Sequence, residues 1–210
     1  LNKLKYNIIY MYKMKKIFCI RHGQGFHNTD FFKFGRAAYY DPKKADPQLT
    51  KIGIDQAKSL NRNWEEVKNI DLVIVSPLKR CLQTATNIFE GHDVKMIACE
   101  DAREFPMGKQ YSNKRSQKWL LQKEFPHVNF IDLQTSEDKL WDPDNYETLS
   151  NLERRVNNVK KTLDLRTEKN IALVAHSTFL MKMLFDTVDE DESKELIHCH
   201  PYIFTPNNDC

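Results

Sequence analysis

Ile17-Phe18-Cys19-Ile20-Arg21-His22-Gly23-Gln24-Gly25-Phe26-His27-Asn28 is the stretch on which the reading of this chain turns. A short apolar run stops at an arginine, a histidine and two glycines, the pattern of a buried strand closed by a tight turn. In open α/β sheets, ligands bind at the carboxyl ends of the strands. An Arg-His pair placed there suits anion chemistry, because a guanidinium grips phosphate bidentately and a neutral imidazole nitrogen can act as a nucleophile. Taken alone, the segment fits a polar turn capping a strand equally well.

The surrounding pattern alternates strand and helix. Strands are predicted at Lys16–Ile20, Asp71–Val75, Val94–Ala98, Ile171–Ala175 and Tyr202–Phe204. A helix capped by Thr50 carries Ile54, Ala57, Leu60, Trp64 and Val67 on one face. A second starts at Ser76-Pro77, cap then proline, and buries Leu78, Cys81, Leu82, Ala85, Ile88 and Phe89. A third carries Leu149, Leu152, Val156, Val159 and Leu163, and a fourth covers Thr178–Asp186. Residues 29–48 read as a long aromatic-rich connection. Residues 104–146 lack the alternation, hold Pro106, Pro126 and Pro143, and contain one short helix near Ser116–Phe125. An insertion of that length in a compact domain is usually a lid or binding rim. The expected fold is α/β: a three-layer α/β/α domain over residues 14–205 with a mostly parallel central sheet and an inserted lid region, preceded by an N-terminal tail of residues 1–13.

Composition narrows the function classes. The 210 residues carry a formal net charge of +3, too little to argue for nucleic acid. The basic start (Lys3, Lys5, Lys13, Lys15, Lys16) and the acidic run Asp186 to Glu195 read as solvated surface. Five scattered cysteines without a C-x-x-C pair fit a reducing compartment better than a disulfide framework, so a cytoplasmic location is expected. No run approaches the roughly 20 apolar residues of a membrane span. His198-Cys199-His200 is discounted as a metal site, since adjacent strand residues face opposite ways.

Three strand ends then bring polar residues suited to one anion to the same sheet edge: Arg21-His22-Gly23, Ser76-Pro77-Leu78-Lys79-Arg80 and Ala175-His176-Ser177. Helix starts at two of them add N–H groups and a favourable dipole. The chain resembles the histidine phosphatase superfamily, which holds the cofactor-dependent phosphoglycerate mutases and their phosphatase relatives. Arg21-His22-Gly23 with Asn28 matches its nucleophile motif, Leu49-Thr50-Lys51-Ile52-Gly53-Ile54-Asp55-Gln56-Ala57 its LTxxGxxQA segment, and Ser76 to Thr84 its SPLxRxxxT segment. Arg103-Glu104-Phe105-Pro106-Met107-Gly108 matches the acid-bearing RExxxG, and Val174-Ala175-His176-Ser177 the second-histidine motif. Two positions depart from the pattern: Gly25 stands where many members have a serine that contacts phosphate, and Ser177 where many have glycine.

The resemblance implies catalytic roles for His22, as phosphoryl acceptor, and Glu104, as the acid that protonates the leaving oxygen. It implies phosphate binding by Arg21, Asn28, Arg80 and His176, with no metal and no cofactor. A phosphohydrolase acting on a phosphomonoester through a phosphohistidine is expected, its substrate a small phosphorylated metabolite or phosphopeptide. The alternative is a phosphoglycerate mutase using 2,3-bisphosphoglycerate; a second is a catalytically weak binding or scaffold protein. Phe105 follows Glu104 where the mutases carry an arginine, which favours the phosphatase. Lys109, Tyr111, Lys114 and Arg115 are rim candidates for a second anion, and a homo-oligomer is compatible with everything above.

Overall fold

The computed structural model describes residues 15–188 and 195–205. The expected tail of residues 1–13 and the central part of the acidic run lie outside the described residues. Six strands form one sheet in the order β4-β3-β2-β5-β1-β6. They are β1 (Lys16–Arg21), β2 (Leu72–Val75), β3 (Lys95–Ala98), β4 (Val128–Asn129), β5 (Asn170–Ala175) and β6 (Pro201–Phe204). All pairings are parallel except that of β6 with β1.

Parallel strands buried on both faces read as continuous apolar runs, and β1, β2 and β5 are such runs. Their side chains alternate between two cores. One face gathers Phe18, Ile20, Val73, Val75, Ala172 and Val174. It is covered by α2 (Lys51–Asn63), α3 (Lys79–Ile88) and α4 (Lys118–Glu124). The opposite face gathers Ile17, Cys19, Leu72, Ile74, Ile171 and Leu173. It is covered by α5 (Leu149–Leu165) and α6 (Ser177–Phe185). The result is the expected three-layer arrangement. Leu82 and Leu173 are fully buried, and truncating either to alanine is expected to cost about 2–5 kcal/mol.

Three local readings are corrected, and a fourth is added to. Residues 29–48 are not a bare connection, because α1 (Phe26–Phe34) and two 3₁₀ turns, Gly35–Tyr40 and Pro42–Lys44, occupy most of it. The Thr50-capped helix stops at Asn63; Trp64 turns extended, and Val67 reaches the same core from a 3₁₀ turn. Ser76 does not cap α3, whose first residue is Lys79 and whose N-cap position is Leu78. The segment 104–146 supplies cleft-lining residues from 104 to 113 and is also a buttress: it adds β4 to the sheet edge and packs Leu121, Phe125 and Phe130 into the core. Among the described residues, no helix is long and apolar enough to cross a membrane.

Candidate active site

The register of three adjacent strands builds the site. Arg21 is level with Ala175 across β1 and β5, so His22 and His176 leave the sheet side by side. Their rings lie 5.1 Å apart, centroid to centroid. Val75 is level with Val174, which brings Ser76 to the same edge. The Ser76 hydroxyl lies 2.8 Å from His176 Nε2. Ser76 therefore orients an imidazole instead of capping a helix.

The turn that carries His22 is braced from α2 and α3. Thr84 Oγ1 accepts the Gly23 N–H at 3.0 Å, and Gln56 Oε1 accepts that of Gln24 at 2.8 Å. Thr50 N–H donates to Gln24 O at 2.9 Å. Gly53 is obligatory by close approach, since a Cβ there would lie 2.1 Å from Gln24 O. The LTxxGxxQA segment thus works as a brace for the turn that carries His22.

His22 is 2% exposed, and its Nδ1 lies 2.7 Å from Gly23 O. A carbonyl only accepts, so Nδ1 carries the proton and Nε2 keeps its lone pair. Burial, then the positive charge of Arg80 and the neighbouring histidines, hold His22 well below the ordinary histidine range, so it stays neutral. His176 is fully buried and shifted the same way, by burial first and Arg80 second.

Both arginines are tied down by their terminal nitrogens. Arg21 donates to Leu196 O at 2.7 Å and pairs with Glu195 at 2.7 Å. Arg80, in the first turn of α3, donates to Ser112 O at 2.7 Å and Asn113 Oδ1 at 2.9 Å. Asn28 accepts the Gly25 N–H through Oδ1 at 2.9 Å, so what it can offer an anion is its Nδ2 donor. Glu104 Oε1 accepts from the N–H groups of Phe105 at 2.9 Å and Phe179 at 3.3 Å. Burial pushes its carboxyl above the ordinary value, against the pull of the Phe105 N–H and the Arg80 charge.

A cleft of about 450 Å³ gathers Arg21, His22, Asn28, Arg80 and Glu104. His176 does not line it, although its ring lies 5.1 Å from that of His22. Phe31, Tyr39, Tyr40 and Phe105 give the cleft an aromatic side, with Arg36 beside them. The rim expected from Lys109, Tyr111, Lys114 and Arg115 does not form, and Gln110, Ser112 and Asn113 line the cleft instead. Arg115 is 3% exposed and spends its guanidinium on Glu100 and four backbone carbonyls. Lys114 lies over the Trp141 ring at 4.4 Å, and Lys109 over Tyr146 at 4.9 Å.

Two histidines join the site that the sequence did not single out. The rings of His27 and His198 lie 5.4 and 5.6 Å from that of His22. His198 Nδ1 lies 2.5 Å from His22 O, from a segment that bridges to Arg21 and then turns at Cys199 with φ of 51°. The His198–His200 segment is thus a turn, not the strand assumed in reading it. Arg103, beside Glu104, is structural: it is fully buried, donates to both Asp138 oxygens at 2.8 and 2.7 Å, and donates to Asn113 O at 2.7 Å.

The family model of the histidine phosphatase superfamily (branch 1) matches residues 17–200. The chain belongs to this superfamily. Among its relatives, phosphoglycerate mutase-like protein 1 of Arabidopsis thaliana is 32% identical over 222 residues, covering 91% of this chain and 75% of that protein. Two solved structures share the fold. The alpha-ribazole phosphatase from Shigella flexneri superposes with a TM-score of 0.58 at 21% identity, covering 87% of this chain and 86% of that one. The phosphoserine phosphatase from Entamoeba histolytica, solved with 3-phosphoglyceric acid, gives 0.55 at 19% identity over 91% and 90%. In this histidine phosphatase superfamily member, the five sequence motifs converge on one sheet edge: four supply its side chains and the fifth braces the turn between them.

Proposed function

We propose that the protein is a phosphomonoester hydrolase working through a phosphohistidine on His22. The observation that carries this reading is the His22 Nδ1 contact with Gly23 O, which leaves Nε2 as a neutral, buried lone pair beside two arginines. Nε2 attacks phosphorus, the bond from phosphorus to the ester oxygen breaks, and the Glu104 carboxyl gives its proton to that oxygen. The imidazolium so formed keeps its Nδ1 proton on Gly23 O. Glu104, now a carboxylate, takes a proton from water as the water oxygen bonds phosphorus. The N–P bond then breaks and Nε2 recovers its lone pair. Arg21 and Arg80 stabilise the charge on the transferring group, which is most of what phosphoryl transfer asks of a protein. Such a cage calls for no metal or cofactor.

Water as acceptor is supported by Phe105, on the cleft wall directly after Glu104. A mutase has to hold a bisphosphate while excluding water, and the family resemblance expects an arginine at that position. The test is a labelled phosphoryl donor in a rapid-quench experiment. A phosphoenzyme that is acid-labile and alkali-stable, absent in His22→Ala, is expected. Full turnover by His22→Ala sinks the reading.

A further inference from the structure

Buried polar atoms in folded proteins are nearly always paired. Four buried side-chain nitrogens have no hydrogen-bond partner among the described residues: Arg21 Nε, Arg80 Nε, Arg103 Nε and His27 Nδ1. Three of the four belong to residues lining the cleft. The two cleft arginines still have protein acceptors on their terminal nitrogens. The His27 ring stands 5.4 Å from that of His22, with its Nδ1 unpartnered.

Gly25 supplies the second observation. Its backbone, φ −98° and ψ 163°, is ordinary extended geometry open to any residue. Nothing in the chain path therefore asks for glycine there. The His27 side chain does: a Cβ on residue 25 would lie 2.6 Å from His27 Nδ1 and 2.7 Å from its Cε1. The imidazole, thrown back from the first turn of α1, fills the space that a residue-25 side chain would use.

We propose that His27 is a phosphate-binding residue, its Nδ1 standing in for the hydroxyl that a serine at position 25 would present to the phosphoryl group. The proposal rests on the phosphatase reading of the cleft. Nδ1–H gains its missing acceptor, a phosphoryl oxygen; the Nε–H groups of Arg21 and Arg80, on residues lining the same cleft, are likewise without a partner. Burial, with Arg80 and Arg21 nearby, holds the His27 ring neutral, so it serves as a donor without adding charge. Glycine at 25 and histidine at 27 are then one exchange rather than two unrelated changes.

The test is a double-mutant cycle with inorganic phosphate as the probe, read both as a competitive inhibitor of ester hydrolysis and by calorimetry. His27→Phe keeps the ring volume and removes the nitrogen. It is expected to weaken phosphate binding and kcat/KM by about tenfold or more, the range for a hydrogen bond to a charged group, with an unchanged melting temperature. Gly25→Ser alone is expected to lose a similar factor, because it expels the ring. Gly25→Ser combined with His27→Ala is expected to regain phosphate affinity, exceeding both single variants. Phosphate affinity of His27→Phe within about twofold of wild type, or a double variant that merely sums the single losses, overturns the proposal. Calorimetry needs no turnover, so a protein that binds phosphate in this pattern yet hydrolyses no ester would refute the hydrolase and leave His27 in place.

Discussion

The Asn113 side-chain oxygen accepts a hydrogen bond from Arg80 at 2.9 Å, while the Asn113 backbone oxygen accepts one from Arg103 at 2.7 Å. Arg80 is thus aimed by a loop that Arg103 and Asp138 hold in place. Asn113→Ala leaves a buried guanidinium N–H without its acceptor. The expected loss is about 1.5–3 kcal/mol of stability in denaturant titration, with a smaller drop in kcat/KM than Arg80→Ala. That second variant removes a preorganised donor, and a fall of about 10²–10³ is expected. A loss below tenfold for Arg80→Ala would place it outside the transition-state cage.

Glu104 is predicted to matter in proportion to how badly the leaving group needs a proton. Its carboxyl is raised by burial, so it is protonated over a wider range than an exposed glutamate, and kcat/KM should fall as pH climbs through that raised value. Glu104→Gln should erase the alkaline limb. It should also slow alkyl phosphates far more than p-nitrophenyl phosphate, whose leaving oxygen needs no acid. Equal losses on both esters would remove Glu104 from the acid role.

The buried imidazoles set how stability responds to acid. His22, His27 and His176 are all held well below the ordinary value by burial, with Arg80 adding to it. In the unfolded chain they protonate near 6.5 or so. Their contribution is therefore complete above that pH and is lost as pH falls below it, each by up to about 1.4 kcal/mol per pH unit. Glu104 works in the opposite sense, since its raised carboxyl favours the folded state at low pH and loses that contribution as pH rises. With three imidazoles against it, the melting temperature should drop steadily between pH 7 and pH 5. A flat profile would show that the histidines titrate when folded.

Acceptor choice is tested by supplying 3-phosphoglycerate with catalytic 2,3-bisphosphoglycerate. Free phosphate is expected to outpace 2-phosphoglycerate. Isomerisation at about 10 s⁻¹ or more with little phosphate released would make the protein a mutase. Dialysis against EDTA should leave either activity intact, because the charge on the transferring group is met by Arg21 and Arg80.

The strands that carry His22 and His176 were legible because burial on both faces forces continuous apolar runs, and β1 and β5 are such runs. Helix α1 was not, because it buries none of its residues and so imposes no apolar period on the sequence. β4 spans two residues, too few to show a pattern. Ser76 looked like a cap because serine before proline usually is one; its partner is an imidazole 100 residues away. Asn113, His198 and Glu195 reach the site through tertiary contacts that leave no local trace. His27 was in plain view within the opening motif. What hid its role was Gly25, whose missing Cβ leaves the space that the His27 ring occupies.

Strand β1 lies between β5 and β6. Its register partners are Asn170 to Ala175 on one side and Pro201 to Phe204 on the other. His22 follows the first strand of the described chain, yet both neighbours of that strand come from the far end of the described residues. Loop-closure entropy has to be overcome before either pairing forms, and sheets with such non-local contacts fold slowly. A chain emerging from the ribosome would carry Arg21 and His22 with neither partner strand available until residues 170–175 had followed. The Leu196 and Glu195 tethers of Arg21 arrive between those two strands, after β5 and before β6. The surroundings of Arg21 and His22 are thus completed only by residues 170–204, and no shorter N-terminal fragment of the described chain contains them.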